Sequence, residues 1–306
     1  MLNVTQPSPE MLTSPPAAEV TAADRREARA LPLSTRFTLG DRITPIQQAF
    51  LDEHGYLVFG QVASQEEVDR VLGEVDLIQE RWLAERRKEI NGIPVFIGKD
   101  PDGAPFIQRF AFTSLQSQYL YDFVRDDRFA PIRSLVGAET RVGDHEKDGL
   151  VFNRNLNVPG SAYPRLGWHT DGLRDLFLNR EVPGPMLNVG MHFDRIRKED
   201  GGLRIIPGSH RQGFWDMLTR KPYFVSHGVD ADEIAVETEP GDLTVHDGRT
   251  WHRVEVSPYT GWRSLRRTMY VPYVTDAWAP KGEDSRTPFY HRLAQVAREL
   301  RVRLNR

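Results

Sequence analysis

The stretch Gly167-Trp168-His169-Thr170-Asp171-Gly172 (GWHTDG) decides how this chain is read, and its weight rests on His169 and Asp171. In an extended strand, residues i and i+2 project to the same face, so one imidazole and one carboxylate converge on one point. That is two-thirds of a 2-His-1-carboxylate metal site, the ligand set with open positions expected of non-haem Fe(II) oxygenases. The third ligand would be a histidine well downstream, and His252 is the candidate. An HxD pair alone carries little weight in a chain with nine histidines. Its surroundings have to supply the rest.

The 306 residues suffice for one large domain with a full core, read here as residues 41–306. Residues 1–40, rich in Pro, Ala, Ser and Thr and poor in aromatics, read as a flexible tail that buries too little to offset its ordering entropy. A net charge of −3 and the lack of a basic run argue against a nucleic-acid partner. With no cysteine, disulfides, zinc-thiolate sites, iron–sulfur clusters and thiol nucleophiles are excluded together. Any metal must be held by nitrogen and oxygen. The first residues, MLNVTQPSPEMLTSPPAAEV, offer neither a basic nor an apolar leader region, and no later apolar run reaches membrane-spanning length. The expectation is a cytoplasmic protein without a membrane partner.

Outward from the central stretch, the two halves differ in rhythm. Upstream, Thr44 to His54 has a short helical pattern closed by Gly55, and Tyr56 to Phe59 is a compact apolar strand. Ser64 and Glu67 form an S-x-x-E capping box for a helix whose apolar stripe is Val68, Val71, Leu72, Val75, Ile78 and Trp82. Strands are predicted around Val95 to Ile97 and Phe106 to Phe112, about the turn Asp100 to Gly103, then a helical region from Ser114 to Leu135. From Leu150 the pattern becomes short β-prone runs: Leu150 to Asn155, Leu187 to Phe193, Leu203 to Ile206, Ile234 to Thr238, Leu243 to His246, Trp251 to Val256 and Thr268 to Val274. Asp200-Gly201-Gly202, Pro207-Gly208, Pro240-Gly241 and Ser257-Pro258 punctuate them with turn chemistry. Many short strands after a helix-rich start predict a mainly β sandwich or barrel buttressed by N-terminal helices. Pro288 to Arg306 reads as a C-terminal amphipathic helix.

Four motifs in order give the pattern its specificity: FLDEHGYLVFGQVASQEEVDRVLGEVD from Phe50; WHTD from Trp168 with LNVGMHFDRIRKEDGGLRIIPGSHRQG from Leu187; PGDLTVHDGRTWHRVEVSP from Pro240; and RRTMYV from Arg266. Together these resemble the phytanoyl-CoA dioxygenase family of Fe(II)- and 2-oxoglutarate-dependent oxygenases, over roughly Ile46 to Val274. The resemblance implies a double-stranded β-helix (jelly-roll or cupin-like) barrel with iron in its mouth. It implies His169, Asp171 and His252 as iron ligands and Arg266, with Thr268 two residues on, as the partner of the 2-oxoglutarate distal carboxylate. The cofactor set implied is Fe(II), 2-oxoglutarate and O2. Two departures stand out. The interval from His252 to Arg266 is a few residues longer than usual, so Arg263 or Arg267 could serve as anchor instead, and Gly190 stands where many members carry a tryptophan, which would widen the pocket or shift the co-substrate.

The chemistry implied is oxidation, above all hydroxylation, of a C–H bond in a small-molecule metabolite, such as a secondary metabolite or amino-acid-like compound, with release of succinate and CO2. Arginine suits the distal carboxylate because its planar fork makes two parallel charge-assisted bonds. Halogenases of this kind replace the carboxylate ligand, so Asp171 disfavours halogenation. Desaturation, cyclisation or epimerisation on the same fold stays open, as does a β-barrel protein that binds metal or a 2-oxo acid without turnover. His246 competes with His252; in the family pattern the second histidine is the ligand, leaving His246 as a structural neighbour. His192 and His210 read as core or turn residues. Trp168, Trp215, Tyr223 and Trp251 could line a pocket, although aromatics in a β sandwich are more often core. Leu173 to Pro185 and Arg211 to Glu233 are long enough for lids, and Arg109, Asn153 and Arg154 could face the cavity.

Overall fold

The computed structural model describes residues 19–137, 140–172, 176–177, 180–275 and 279–288. The expected C-terminal helix lies almost wholly outside the described residues, as do parts of the Leu173 to Pro185 loop.

The described residues begin with two capped helices. Helix α1 (Ala22–Ala30) starts at Thr21, whose hydroxyl accepts from the Asp24 backbone while Asp24 returns the bond. Helix α2 (Pro45–His54) has the same reciprocal cap between Thr44 and Gln47, proline in its first turn, and Gly55 in the left-handed conformation at its end. The reading of residues 1–40 as a tail is therefore corrected for the described part. Ala28 is fully buried, Arg29 pairs with Glu53 of α2 at 2.9 Å, and Phe37 bridges Phe59. A composition averaged over forty residues hides a local capping box and a single well-placed phenylalanine.

Strand β1 (Tyr56–Phe59) leads to α3 (Gln65–Ala84), which starts at the Ser64–Glu67 capping box and buries Val68, Val71, Val75, Ile78 and Trp82. A small hairpin, β2 (Glu89–Ile90) with β3 (Ile93–Pro94), was not anticipated. Strands β4 (Phe96–Lys99) and β5 (Pro105–Phe110) flank the predicted turn. The helical region expected from Ser114 to Leu135 is broken: only α4 (Gln118–Phe123) and α5 (Ala130–Arg133) are α-helical. Ser117 caps α4, and Asp126 turns back onto the Arg128 backbone just ahead of Pro131, so local side-chain bonds end one helix before the next begins.

The remaining strands are β6 (Arg141–Val142), β7 (Val151–Asn155), β8 (Leu166–His169), β9 (Met186–His192), β10 (Gly202–Ile205), β11 (Ile234–Ala235), β12 (Leu243–Asp247), β13 (His252–Glu255) and β14 (Arg266–Val274), with the short helix α6 (Phe214–Thr219) between β10 and β11. An eight-stranded sheet runs β1-β12-β9-β14-β7-β5-β4, with β6 on β14, and a four-stranded sheet runs β11-β10-β13-β8. All these pairings are antiparallel. This is the double-stranded β-helix, an open barrel of two sheets.

Alternation along each strand sorts the residues of the large sheet. Val189 and Met191 of β9, Leu243 and Val245 of β12, and Met269, Val271 and Tyr273 of β14 join α3 and the α4–α5 region in one apolar core. The opposite face of the same strands carries His192, His246, Arg266, Thr268 and Tyr270. Burying the apolar face stabilises by about 25 cal/mol for each Å² removed from water, and it is this packing that holds the polar face in register.

Candidate metal centre

His169 ends β8 and His252 opens β13, and the two are direct partners across the small sheet. Their ring centroids lie 4.1 Å apart. Asp171 falls beyond the end of β8, not within it, and its backbone N–H donates to Gly248 O at 2.7 Å, which holds the carboxylate on the histidine side. One oxygen, Oδ1, lies 3.9 Å from His169 Nε2 and 3.8 Å from His252 Nε2. The other, Oδ2, accepts from Asn188 Nδ2 at 3.2 Å.

Backbone carbonyls fix the ring tautomers. His169 Nδ1 lies 2.9 Å from Gly167 O and His252 Nδ1 lies 2.9 Å from Thr250 O. A carbonyl can only accept, so each Nδ1 carries the proton and each Nε2 turns a lone pair toward Asp171. Burial holds both imidazoles below their ordinary pKa, His252 well below, with the His169 ring adding to the effect there. Burial works the other way on Asp171, yet the surrounding imidazoles of His252, His246 and His169 keep its carboxyl far below the usual range. Two Nε2 atoms and one carboxylate oxygen thus converge. Such a donor set suits a divalent cation, and a backbone carbonyl on the far ring nitrogen is the arrangement that orients an imidazole toward a metal. His169, Asp171 and His252 offer ligand atoms within 4.8 Å of one another.

The other histidines separate cleanly. His246, on β12, faces the opposite carboxylate oxygen, with Nε2 3.5 Å from Asp171 Oδ2 and its ring 4.5 Å from that of His252. His192 bonds Thr244 Oγ1 at 2.9 Å, and His210 bonds Asp52 O at 3.1 Å beneath the turn at Gly55.

Three candidate arginines have three different environments. Arg267 is clamped by Asp194, with Nη2 2.5 Å and Nε 3.1 Å from Oδ1, on the outer face of β14. Arg263 stacks its guanidinium 3.6 Å above the Tyr259 ring. Arg266 points inward and is 4% exposed; its Nη1 donates to Glu255 O and its Nη2 to Pro164 O at 3.2 Å, while Nε is buried without a partner. Among the described residues no carboxylate forms an ion pair with it. Burial pushes its pKa down to about 10, with Glu255 opposing, so it stays charged at neutral pH. Thr268 shares its face and pairs across the sheet with His192 and Asn153. Asn153 and Arg109 continue that row, and Arg109 bonds Asp148 at 2.6 Å. Arg154 is excluded from the cavity: alternation turns it outward to Asp76 of α3 at 2.5 Å.

The aromatic candidates divide likewise. Trp168 and Trp251 are fully buried with Ile206 in a second core on the outer side of the small sheet, against Tyr223. Trp215 is 72% exposed. Phe224 and Asn188 were not anticipated. Phe224 adopts a left-handed φ of 60°, pairs with Trp168 at the edge of β8, and sets its ring 5.0 Å from that of His169. Nothing in the pattern around it signals that role. Asn188 was findable, since it lies two residues from Gly190 and four from His192 on the inner face of β9.

Comparison with known proteins places this architecture. The chain is 26% identical to Dioxygenase af480 of Aspergillus fumigatus over 238 residues, covering 75% of this chain and 68% of that protein. Among solved structures, EvdMO1 superposes with a TM-score of 0.54 at 18% identity, over 76% of this chain and 50% of its own, so the chain spans half the length of that relative. The epimerase SnoN from nogalamycin biosynthesis, in complex with Fe3+, alpha ketoglutarate and nogalamycin RO, superposes with a TM-score of 0.53 at 18% identity over 76% of this chain and 84% of its own. Likeness at this identity establishes the fold. No helix among the described residues is long and apolar enough to cross a membrane. The sequence family described as phytanoyl-CoA dioxygenase (PhyH) matches residues 51–255, two-thirds of the chain, and the protein belongs to that family of Fe(II)- and 2-oxoglutarate-dependent oxygenases.

Proposed function

We propose that His169, Asp171 and His252 hold Fe(II), that Arg266 with Thr268 binds the distal carboxylate of 2-oxoglutarate, and that the enzyme hydroxylates a C–H bond of a small-molecule metabolite with O2, releasing succinate and CO2. The observation that carries the reading is the convergence of two Nε2 lone pairs on the same Asp171 oxygen. Iron(II) held there supplies the O2 chemistry that couples 2-oxoglutarate breakdown to C–H oxidation.

The remaining work falls to the chain. Gly167 and Thr250 carbonyls set the tautomers, and Asn188 occupies Asp171 Oδ2 so that Oδ1 is left for metal. Arg266 is held by carbonyls alone, which orient a guanidinium without neutralising it, so its charge is reserved for an incoming carboxylate. Phe224 covers His169 and excludes water from that side. Asp171 as a carboxylate ligand weighs against halogenation. SnoN is an epimerase on this fold, so epimerisation is the second reading: a hydroxylated product gains one oxygen atom, an epimer none.

The test is anaerobic titration of the purified protein with Fe(II) and then 2-oxoglutarate. A weak visible metal-to-ligand charge-transfer band should develop in wild type and be lost in His169→Ala. Folded, iron-loaded wild type without that band would sink the reading and leave a metal-binding β-barrel without turnover.

A further inference from the structure

Gly190 lies in the middle of β9, a central strand, where a glycine forgoes side-chain packing and costs conformational entropy. The structure explains it by close approach. A Cβ at Gly190 would fall inside van der Waals contact of the Tyr270 ring and lie 2.9 Å from Thr244 Oγ1. Tyr270 is the cross-strand partner of Gly190 from β14, and Thr244 is its partner from β12. The tyrosine ring therefore lies across β9, over the glycine and toward Thr244. Of the two consequences the sequence suggested for Gly190, a wider pocket or a shifted co-substrate, the first does not arise, because the space is filled from the neighbouring strand.

The position of that ring is what gives it a role. It sits 6.1 Å from the His246 ring and 6.0 Å from the His192 ring. His246 in turn touches His252 and Asp171, so one side chain separates Tyr270 from the metal ligands. Along β14, Tyr270 is on the face of Thr268 and Arg266, two and four residues away, or roughly 13 Å over the longer interval at strand rise. A 2-oxo acid anchored at Arg266 and reaching toward His246 and the triad beyond it would run along this inner face of β14. The only side chain standing up from the Gly190–Tyr270 pair is the tyrosine ring.

We infer that Tyr270, laid over Gly190, forms the floor of the co-substrate chamber and selects 2-oxo acids by chain length. The inference rests on the Fe(II)/2-oxoglutarate reading above and deepens it. With both ends of the acid fixed, the height of the floor sets how much chain fits between them. A ring in place suits five carbons, and its removal makes room for the bow of a sixth.

The test measures affinities for 2-oxoglutarate and for 2-oxoadipate, one methylene longer, by the charge-transfer band of the anaerobic Fe(II) protein. Tyr270→Phe keeps the ring and should keep the wild-type preference for 2-oxoglutarate. Tyr270→Ala should move the affinity ratio toward 2-oxoadipate by about tenfold or more, the usual worth of one methylene in a fitted pocket, and Tyr270→Leu should move it less. Gly190→Ala should weaken 2-oxoglutarate binding by displacing the ring, whereas Gly190→Ala with Tyr270→Ala should recover part of the preference, because the new methyl points into the space the ring vacated. An unchanged ratio in Tyr270→Ala, or in Tyr270→Leu should the alanine variant not fold, overturns the floor while leaving the 2-oxoglutarate reading intact. Wild type without a band overturns both.

Discussion

The two faces of β14 do opposite work with alternate residues of one nine-residue strand. Outward, Met269, Val271 and Tyr273 enter the apolar core beneath the helices, and Arg267 has its charge matched by Asp194. Inward, Arg266, Thr268 and Tyr270 share the face that carries His192 on the neighbouring strand, and the Arg266 charge is held by carbonyls with no acidic partner among the described residues. Neighbouring arginines thus differ in kind: one has its charge matched by a carboxylate, and the other, on our proposal, receives the distal carboxylate of 2-oxoglutarate. The strand period of two makes this division possible, since adjacent residues meet different solvents.

The comparison breaks most readily at Arg266. If the inward arginine is the anchor, Arg266→Ala should weaken 2-oxoglutarate binding on the order of a hundredfold or more, as loss of one partner of a desolvated charged pair does, with little or no loss of stability, because a buried charge is removed. A variant that binds 2-oxoglutarate like wild type would hand the role to another residue.

Met269→Ala on the outer face should do the reverse. Deleting this buried side chain should cost about 2–5 kcal/mol in chemical denaturation, while 2-oxoglutarate affinity in the folded fraction stays within about twofold. Loss of affinity without loss of stability would show that the faces are not separable.

Acid sharpens the contrast through His192, an inner-face imidazole held by burial at a pKa of about 3, with His246 and Arg36 adding to the depression. The unfolded imidazole titrates near 6.5, so below that pH the unfolded chain takes up a proton that the folded chain refuses. The contribution is fully present above about pH 6.5 and is lost as pH falls toward 3, at about 1.4 kcal/mol per pH unit. Between pH 6 and 5, His192→Asn should therefore have a shallower loss of stability than wild type, by nearly one proton in slope. Equal slopes would mean that His192 protonates freely in the folded state.

The smallest effect is expected at Arg267. Its bond to Asp194 is only partly shielded from water, so Arg267→Ala should cost about 1 kcal/mol or less and leave 2-oxoglutarate binding unchanged. A large loss of co-substrate affinity here would reverse the assignment of the two arginines.

How far the sequence could be read depended on the range of the interaction. Local signals held: the Ser64–Glu67 box starts α3, the strand runs from Leu150 onward are strands, and the order of four motifs pointed to the double-stranded β-helix; His169, Asp171 and His252, picked out by the same motifs, lie together in space. Where a signal was averaged over a long window it misled. The capped α1 vanished into a compositional tail, and the helical stretch after Ser114 broke at Ser117 and Asp126, whose side chains bond the local backbone.

By itself the sequence determined which residue types are present, their period along each strand, and therefore which side chains could share a face. Only the tertiary structure gave Arg266, Arg267 and Arg263 their different environments, set Arg154 against Asp76 rather than in the cavity, raised Phe224 over His169, and filled the space above Gly190 with a ring from residue 270. Each of these outcomes is a contact between strands or loops far apart in the chain. Their positions are fixed by sheet register and by packing of the opposite face, and no local pattern encodes either.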